Sequence, residues 1–398
     1  MNTILTSKQK NKVLLSMAQL IADEKEAILY ANKLDVDSYR GNDLTMIDRL
    51  KVDQSKVEGM ILSLNQLVKD EDPIGKELYH FTHEKGLKIT NKTAPFGTVL
   101  IIYESRPDVT VEAAGIAFKS GNKILLKGGK ESLNSNLKIV ELWHKALKKN
   151  NILSNWVTYL NFNRSKTQEF LEKPTQKVDL IVPRGGENLI AFVKKNATCP
   201  VIVSGRGNNF IYIDSEADLE LSLEIIMNAK TSKISACNAL DKVLIHENLQ
   251  RKEDFVELLI EKLKSFGIKI LGDESIAKFD NVEEIEGEDV WFEEFLDFKI
   301  LIGSVASKED AIAKINKYGG GHSAVIMTKN NNTASEFMEM VDSAAVYQNA
   351  STRFTDGGQF GLGGELAIST DKIHHRGPMG LQHLVTNKWY IVGNGQIR

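Results

Sequence analysis

The 398-residue chain is poor in cysteine, has almost no net charge, and lacks a long apolar run. Its two cysteines, Cys199 and Cys237, cannot build a disulfide framework. No Cys pair or His-Glu-x-x-His run has the spacing that zinc ligands need, so no metal is expected and the compartment is expected to be reducing. The longest apolar stretch, near 99–103, falls far short of the roughly 18 residues that cross a bilayer. Segment 1–13 interleaves Lys8, Lys10 and Lys12 with Ser and Gln and offers no signal-peptide core. Fifty basic against fifty-three acidic side chains give a net charge of -3, which points to neither nucleic acid nor an anionic membrane as partner. A cytoplasmic protein handling a small molecule is the expectation.

With 42% hydrophobic and 26% charged residues, the composition is globular, and the length suits two or three domains with their own cores. Apolar residues from Val13 to Leu29 fall at helical spacing, and a second such stripe runs from Val57 to Val68 ahead of Pro73. Segment 78–93, polar and broken by Gly86, reads as a projecting hairpin. Strands at 98–103, 123–127, 157–160, 179–182 and 201–203 alternate with helices at 111–120 and 133–149. A second series begins after a helix at 219–230. It has strands at 242–246, 300–302, 324–327 and 345–348, and helices at 255–265, 310–317 and 334–341. This pattern predicts two α/β domains with parallel sheets, with the change of domain near residue 225 and ligands expected at carboxyl ends of strands. Segment 280–294, with eight acids in fifteen residues, reads as a solvated excursion.

The familiar nucleotide motifs fail. Around Gly129-Lys130 a Walker loop would need glycine where Ile124 stands and Ser or Thr where Glu131 stands. Gly205-Arg206-Gly207 begins like a dinucleotide fingerprint, but Phe210 takes the third glycine's place and a strand comes next. Cys199, directly before Pro200 and the apolar run 201–203, reads as a packed hydrophobic thiol. Cys237 lies between a helix and a strand at the expected domain junction. It is either a second packed thiol or a nucleophile with access to a cleft. The glycine-dense stretch 349–364 suggests backbone that turns sharply or approaches a ligand, and Arg353 and Arg376 suit carboxylate or phosphate, or a surface ion pair.

Six segments carry a family resemblance: Pro95-Phe96-Gly97 with Tyr103-Glu104-Ser105-Arg106-Pro107; Lys127-Gly128-Gly129-Lys130-Glu131; Pro183-Arg184-Gly185-Gly186; Cys237-Asn238-Ala239; 349–364; and Lys372-Ile373-His374-His375-Arg376-Gly377-Pro378-Met379-Gly380-Leu381. In order and over nearly the whole chain, the sequence resembles the gamma-glutamyl phosphate reductases, the glutamate-5-semialdehyde dehydrogenases of the aldehyde dehydrogenase superfamily.

The resemblance implies an aldehyde dehydrogenase-like α/β fold with two parallel-sheet domains and a small oligomerisation hairpin. Residues 1–225 form the cofactor-binding domain, with the hairpin 79–94 inserted and 361–384 returning to it; residues 226–360 form the catalytic domain and 385–398 the oligomerisation strand. It implies the second step of proline synthesis, reduction of L-glutamyl 5-phosphate by NADPH through a thioester on Cys237. The Cys237 amide and the Asn238 side chain are the candidate oxyanion donors. Lys127 and Lys130 are placed near the adenosine ribose and its extra phosphate, Pro183, Arg184, Gly185 and Gly186 at the pyrophosphate, and Glu294 at the nicotinamide ribose. Arg106, Arg353 and Arg376 are candidates for the substrate's carboxylate and phosphate. A homo-oligomer is implied, with transient contact with the glutamate kinase left open.

Hydrolytic relatives keep a glutamate ahead of the nucleophile to activate water, but segment 200–213 holds no acid. That absence favours acyl transfer to phosphate over oxidation with water. The sequence departs from the family pattern at Asn209 and Phe210, where a Cys-His pair is usual, at Lys314, usually His, and at Ala324, usually Asp. A related glutamyl-type acyl phosphate, or phosphate-independent aldehyde oxidation in the same fold, is the alternative reading.

Overall fold

The computed structural model describes residues 4–398, so the reading of segment 1–13 falls partly outside the described residues. The chain divides into two compact units: Met1–Val203 with Gly361–Ala367 and Met379–Arg398, and Ser204–Phe360 with Ile368–Pro378.

In the first unit, Thr98–Tyr103 is an unbroken β-branched and aliphatic run buried along nearly its whole length. Such a strand needs neighbours and cover on both faces. It pairs in parallel with Lys123–Lys127 on one side and Leu180–Arg184 on the other, and Val157–Tyr159 closes a four-stranded sheet. Helix Leu133–Lys149 buries Ile139, Leu142, Trp143, Ala146 and Leu147 in the core, and the Trp143 indole donates to the Thr110 carbonyl. The amino-terminal stripe is two helices rather than one, Ser7–Asp23 and Lys25–Ser38. A Thr6–Gln9 capping box starts the first, and the second starts at Glu24 (φ -107°), whose carboxylate pairs with Lys138 and Lys145 of helix Leu133–Lys149.

The same unit carries the hairpin Glu77–Thr82 and Lys88–Pro95, antiparallel around Gly86 at φ +85°. Strand Val385–Val392 pairs along the whole of Lys88–Pro95, making a three-stranded sheet. Leu78, Tyr79, Phe81, Trp389, Tyr390, Ile391 and Val392 are all exposed on it.

The second unit is a seven-stranded, wholly parallel sheet in the order Glu283–Glu284, Lys269–Gly272, Lys299–Val305, Leu240–His246, Asn209–Ile213, Ser323–Met327, Ala345–Gln348. Three sequence expectations change here. The units change over at Val203, not near residue 225, because Asn209–Ile213 is an inner strand of this sheet and helix Leu219–Thr231 buries Leu223, Ile226 and Ala229 in its core. Segment 201–203 contributes only an isolated bridge between Val201 and Ile181, and Pro200 before it brings no N–H to a ladder. Segment 280–294 is solvated only in part: it adds the edge strand Glu283–Glu284 and helix Asp289–Phe292, whose Trp291 is buried against Phe210 and Tyr318.

Candidate active site

Helix Leu219–Thr231 ends at Ser232, and two overlapping turns, Lys233 O to Ala236 N and Ala236 O to Ala239 N, lead into strand Leu240–His246. They leave Cys237 exposed at the bend while Asn238, Ala239 and Leu240 are buried behind it. The other cysteine is half-buried against Leu171, Ile181 and Val193, and burial raises its thiol pKa, so Cys199 packs as its sequence context suggested.

The loop behind Cys237 is pinned by side chains. Asn209, fully buried at the start of its strand, directs its Nδ2 at three carbonyls: Gly207 at 2.7 Å, Cys237 at 2.8 Å and Ala239 at 2.7 Å. A Cβ on Gly207 would sit 2.0 Å from the Cys237 carbonyl oxygen and 2.6 Å from Oε1 of Glu294, so only glycine fits between them. The half-buried Glu294 carboxylate is thereby placed beside the Cys237 backbone. On the other side, Asn238 Nδ2 donates to the carbonyls of Arg353 (3.3 Å) and Thr355 (2.9 Å), and Thr352 Oγ1 donates to the Asn238 carbonyl. The Asn238 amide is therefore committed to the 352–355 turn. This corrects its reading as an oxyanion donor: both hydrogens already have carbonyl partners, and its part is to tie two loops together.

Beneath that turn runs a buried polar chain: His322 Nδ1 to Ser323 Oγ, Ser323 Oγ to Thr355 Oγ1, and Thr355 Oγ1 to the Tyr347 hydroxyl, each 2.7 Å. His322 is enclosed, its Nε2 has no hydrogen-bond partner, and burial pushes its pKa down to about 4, so the ring is neutral at neutral pH.

The three candidate anion ligands differ. Arg353 spends Nε on Ser232 Oγ at 3.0 Å, but its Nη1 is buried without a partner, leaving a donor for an anion near the Cys237 loop. Arg376 does not fit the role expected of it. Nε bonds the Thr370 carbonyl, Nη1 the Asp342 carboxylate and Nη2 the Asp342 carbonyl, so it clamps segment 368–378 in place. Arg106, in the first unit, is exposed and paired with Asp108 at 2.8 Å.

In the first unit, Lys127 and Arg184 end the two strands that flank Thr98–Tyr103, opposite Ile102 and Tyr103. Burial lowers the Lys127 pKa, with Glu131 opposing, and Lys130 beyond it is exposed. Pro183 and Arg184 lead into Gly185 and Gly186, which open helix Glu187–Asn196, and the Gly186 amide donates to Glu104 Oε2 at 3.1 Å. A carboxylate on that amide identifies an anion-accepting helix start, and cations at neighbouring strand ends suit phosphates. This chemistry fits a dinucleotide.

The four departures from the family pattern have a structural account. Phe210 stacks on Trp291 with ring centroids 6.3 Å apart, Lys314 Nζ lies 4.8 Å over the same indole, and buried Ala324 is the cross-strand partner of Phe210. These three pack in the interior on the Trp291 side of the sheet. The fourth, Asn209, makes the clasp on the Cys237 loop. The sequence reading also passed over Lys230, Asp241, Lys242, His322 and Thr355. Asp241 and Lys242 carried a signal, since two charges side by side in the apolar strand Leu240–His246 need buried partners.

The aldehyde dehydrogenase family model matches residues 4–276. A gamma-glutamyl phosphate reductase of Clostridium botulinum (strain Eklund 17B / Type B) is 43% identical over 396 residues, covering 99% of this chain and 95% of the relative. The crystal structure of the gamma-glutamyl phosphate reductase of Thermotoga maritima superposes with a TM-score of 0.94 at 40% identity, over 99% of this chain and 95% of that one. An acetylating aldehyde dehydrogenase from Geobacillus thermoglucosidasius, 17% identical, shares the fold with a TM-score of 0.68 over 99% and 93% of the two chains. The chain belongs to the aldehyde dehydrogenase family and, within it, to the gamma-glutamyl phosphate reductases. Among the described residues no helix is long and apolar enough to cross a membrane, and no cluster of side chains could hold a metal ion.

Proposed function

We propose that the chain reduces L-glutamyl 5-phosphate to L-glutamate 5-semialdehyde and phosphate with NADPH, the second step of proline biosynthesis, through a thioester on Cys237. The observation that carries this reading is the exposed Cys237 on a loop whose backbone is fixed from both sides by Asn209 and Asn238. A nucleophile presented on fixed backbone meets the orientation requirement that supplies much of a covalent mechanism's advantage.

The Cys237 thiolate attacks the acyl carbon, the C–O bond to phosphate breaks, and a thioester remains. A nicotinamide dinucleotide, when bound, would supply the hydride for reduction of this carbon. Collapse of the resulting thiohemiacetal breaks the C–S bond, releases the aldehyde and restores the thiol. The Cys237 amide is the donor this reading keeps for the tetrahedral oxyanion, and removing such a donor typically costs about 3–4 kcal/mol of barrier. Arg353 holds the substrate's carboxylate or phosphate through its unpaired Nη1, with Arg106 as the second candidate. Lys127, Lys130 and Arg184 hold the cofactor's phosphates, and Glu294 its nicotinamide ribose. The exposed aromatic sheet of Glu77–Thr82, Lys88–Pro95 and Val385–Val392 joins subunits of a homo-oligomer.

One observation favours a second reading. Segment 200–213 holds no acid, but the Glu294 carboxylate abuts Gly207 beside the Cys237 carbonyl, where it would serve as base for water in a phosphate-independent aldehyde dehydrogenase. The reverse assay separates the two. Semialdehyde oxidation by NADP should depend on inorganic phosphate and be slower with NAD; equal rates with and without phosphate would reject the reductase in favour of the dehydrogenase.

A further inference from the structure

Glu294 is held by its backbone. The carbonyl before it, Glu293 O, accepts from Lys242 Nζ at 2.7 Å, and the amide after it, Phe295 N, donates to Asp241 Oδ2 at 2.9 Å. Consecutive residues of one strand thus grip the two peptide groups that flank the glutamate. The grip depends on an irregularity: Asn209 pairs with Leu240 but Phe210 pairs with Lys242, so Asp241 is the extra residue of a β-bulge. Bulges re-aim a side chain and recur beside active sites. Asp241 is fixed in turn by Lys230 at 3.2 Å, and the Phe295 ring has Lys242 Nζ 3.5 Å and Lys299 Nζ 4.2 Å from its centroid.

Lys230, Asp241 and Lys242 are all buried, two cations against one anion. Burial lowers the pKa of both lysines, that of Lys242 to about 7, and raises that of Asp241. Charges enclosed in this way contribute little stability compared with apolar residues of the same size, and such replacements are often neutral or stabilising. Stability does not account for them, whereas the position of Glu294 does. We propose that Asp241 and Lys242 are positioning residues that hold the Glu294 carboxylate in place at the Cys237 loop for the ribose of the nicotinamide cofactor. The inference rests on the reading of Glu294 as the ribose ligand.

The test uses the full-length enzyme with Lys242→Met, Lys242→Gln, Glu294→Gln and the double variant Lys242→Met with Glu294→Gln. Lys242→Met should raise the KM for NADPH about tenfold and leave the KM for the acyl phosphate unchanged, with a lower melting temperature because the Glu293 carbonyl loses its donor. Lys242→Gln keeps a donor for the Glu293 carbonyl and should recover most of the affinity. In the Glu294→Gln background Lys242→Met should have no further effect on NADPH. A lowered melting temperature with an unchanged KM for NADPH, or independent effects that multiply in the double variant, would overturn the proposal. If Glu294→Gln alone leaves the KM for NADPH unchanged, the ribose reading fails by itself. Hydrogen exchange at the Phe295 amide then decides the clamp: faster exchange in Lys242→Met supports it, and unchanged exchange refutes it.

Discussion

The two parallel sheets put their chemistry at opposite ends. In the first unit the candidate cofactor ligands Lys127 and Arg184 stand at the carboxyl ends of their strands, where a helix start adds its amides. In the second unit Cys237 precedes strand Leu240–His246, Asn209 opens its strand, His322 precedes Ser323–Met327, and Glu294 precedes Lys299–Val305. These are amino ends. The donors there come from buried side chains: the Asn209 and Asn238 amides, the Thr355 hydroxyl, and Lys242. A sheet offers anion binding at one edge through its helices, but at the other edge it must assemble an equivalent site from individual residues.

The contrast can be broken by mutation, and the nucleophile should give the largest effect. Cys237→Ala should lower turnover by at least about 10⁴-fold while circular dichroism and melting stay near wild type, because the side chain is exposed. Appreciable turnover in that variant would end the thioester reading.

The buried chain at the amino ends should make the second unit acid-sensitive. His322 has a folded pKa of about 4 and an ordinary value of 6.5, so between these pH values the unfolded state binds more protons. Stability should therefore be full above pH 6.5 and fall by roughly 3 kcal/mol as pH drops to about 4. Melting temperature against pH measures the slope, and His322→Gln should flatten it; an unchanged slope would place the acid sensitivity elsewhere.

Ligand contacts separate the two edges more finely. Arg353→Ala removes charge-assisted bonds from an enclosed donor and should raise the KM for the acyl phosphate about 10- to 100-fold with little change for NADPH. Lys130→Ala, at an exposed position, should narrow the preference for NADPH over NADH by only about fivefold. Initial rates over both substrates test the pair, and a larger loss at Lys130 than at Arg353 would reverse the comparison.

Much of the first unit's fold could be read from the sequence. Runs such as Lys123–Lys127 and Leu133–Lys149 have a single period and a single fate, and the loop after each strand of such a pattern lies where ligands bind. The second edge was legible in part. Cys237 stood out, but Asn238 and Arg376 were assigned to ligands when both are spent on the protein's own carbonyls and carboxylates. The difference depends on where a loop more than a hundred residues later returns, as Thr355 does to Asn238, 117 positions away. No local pattern encodes that distance. The acidic stretch 280–294 misled for a related reason, since its composition reads as solvated while Trp291, with Ile285, Val290 and Phe292 beside it, fixes it to the core.

Strand Lys88–Pro95 has consequences for how the polypeptide is made. Asn91 meets Asn387 of its outer neighbour 296 positions later, so during synthesis the hairpin leaves the ribosome with one side unzipped until Val385–Val392 follows. An open strand flanked by Tyr79 and Phe81 is sticky, and nascent or prematurely terminated copies should be drawn to chaperones or to each other.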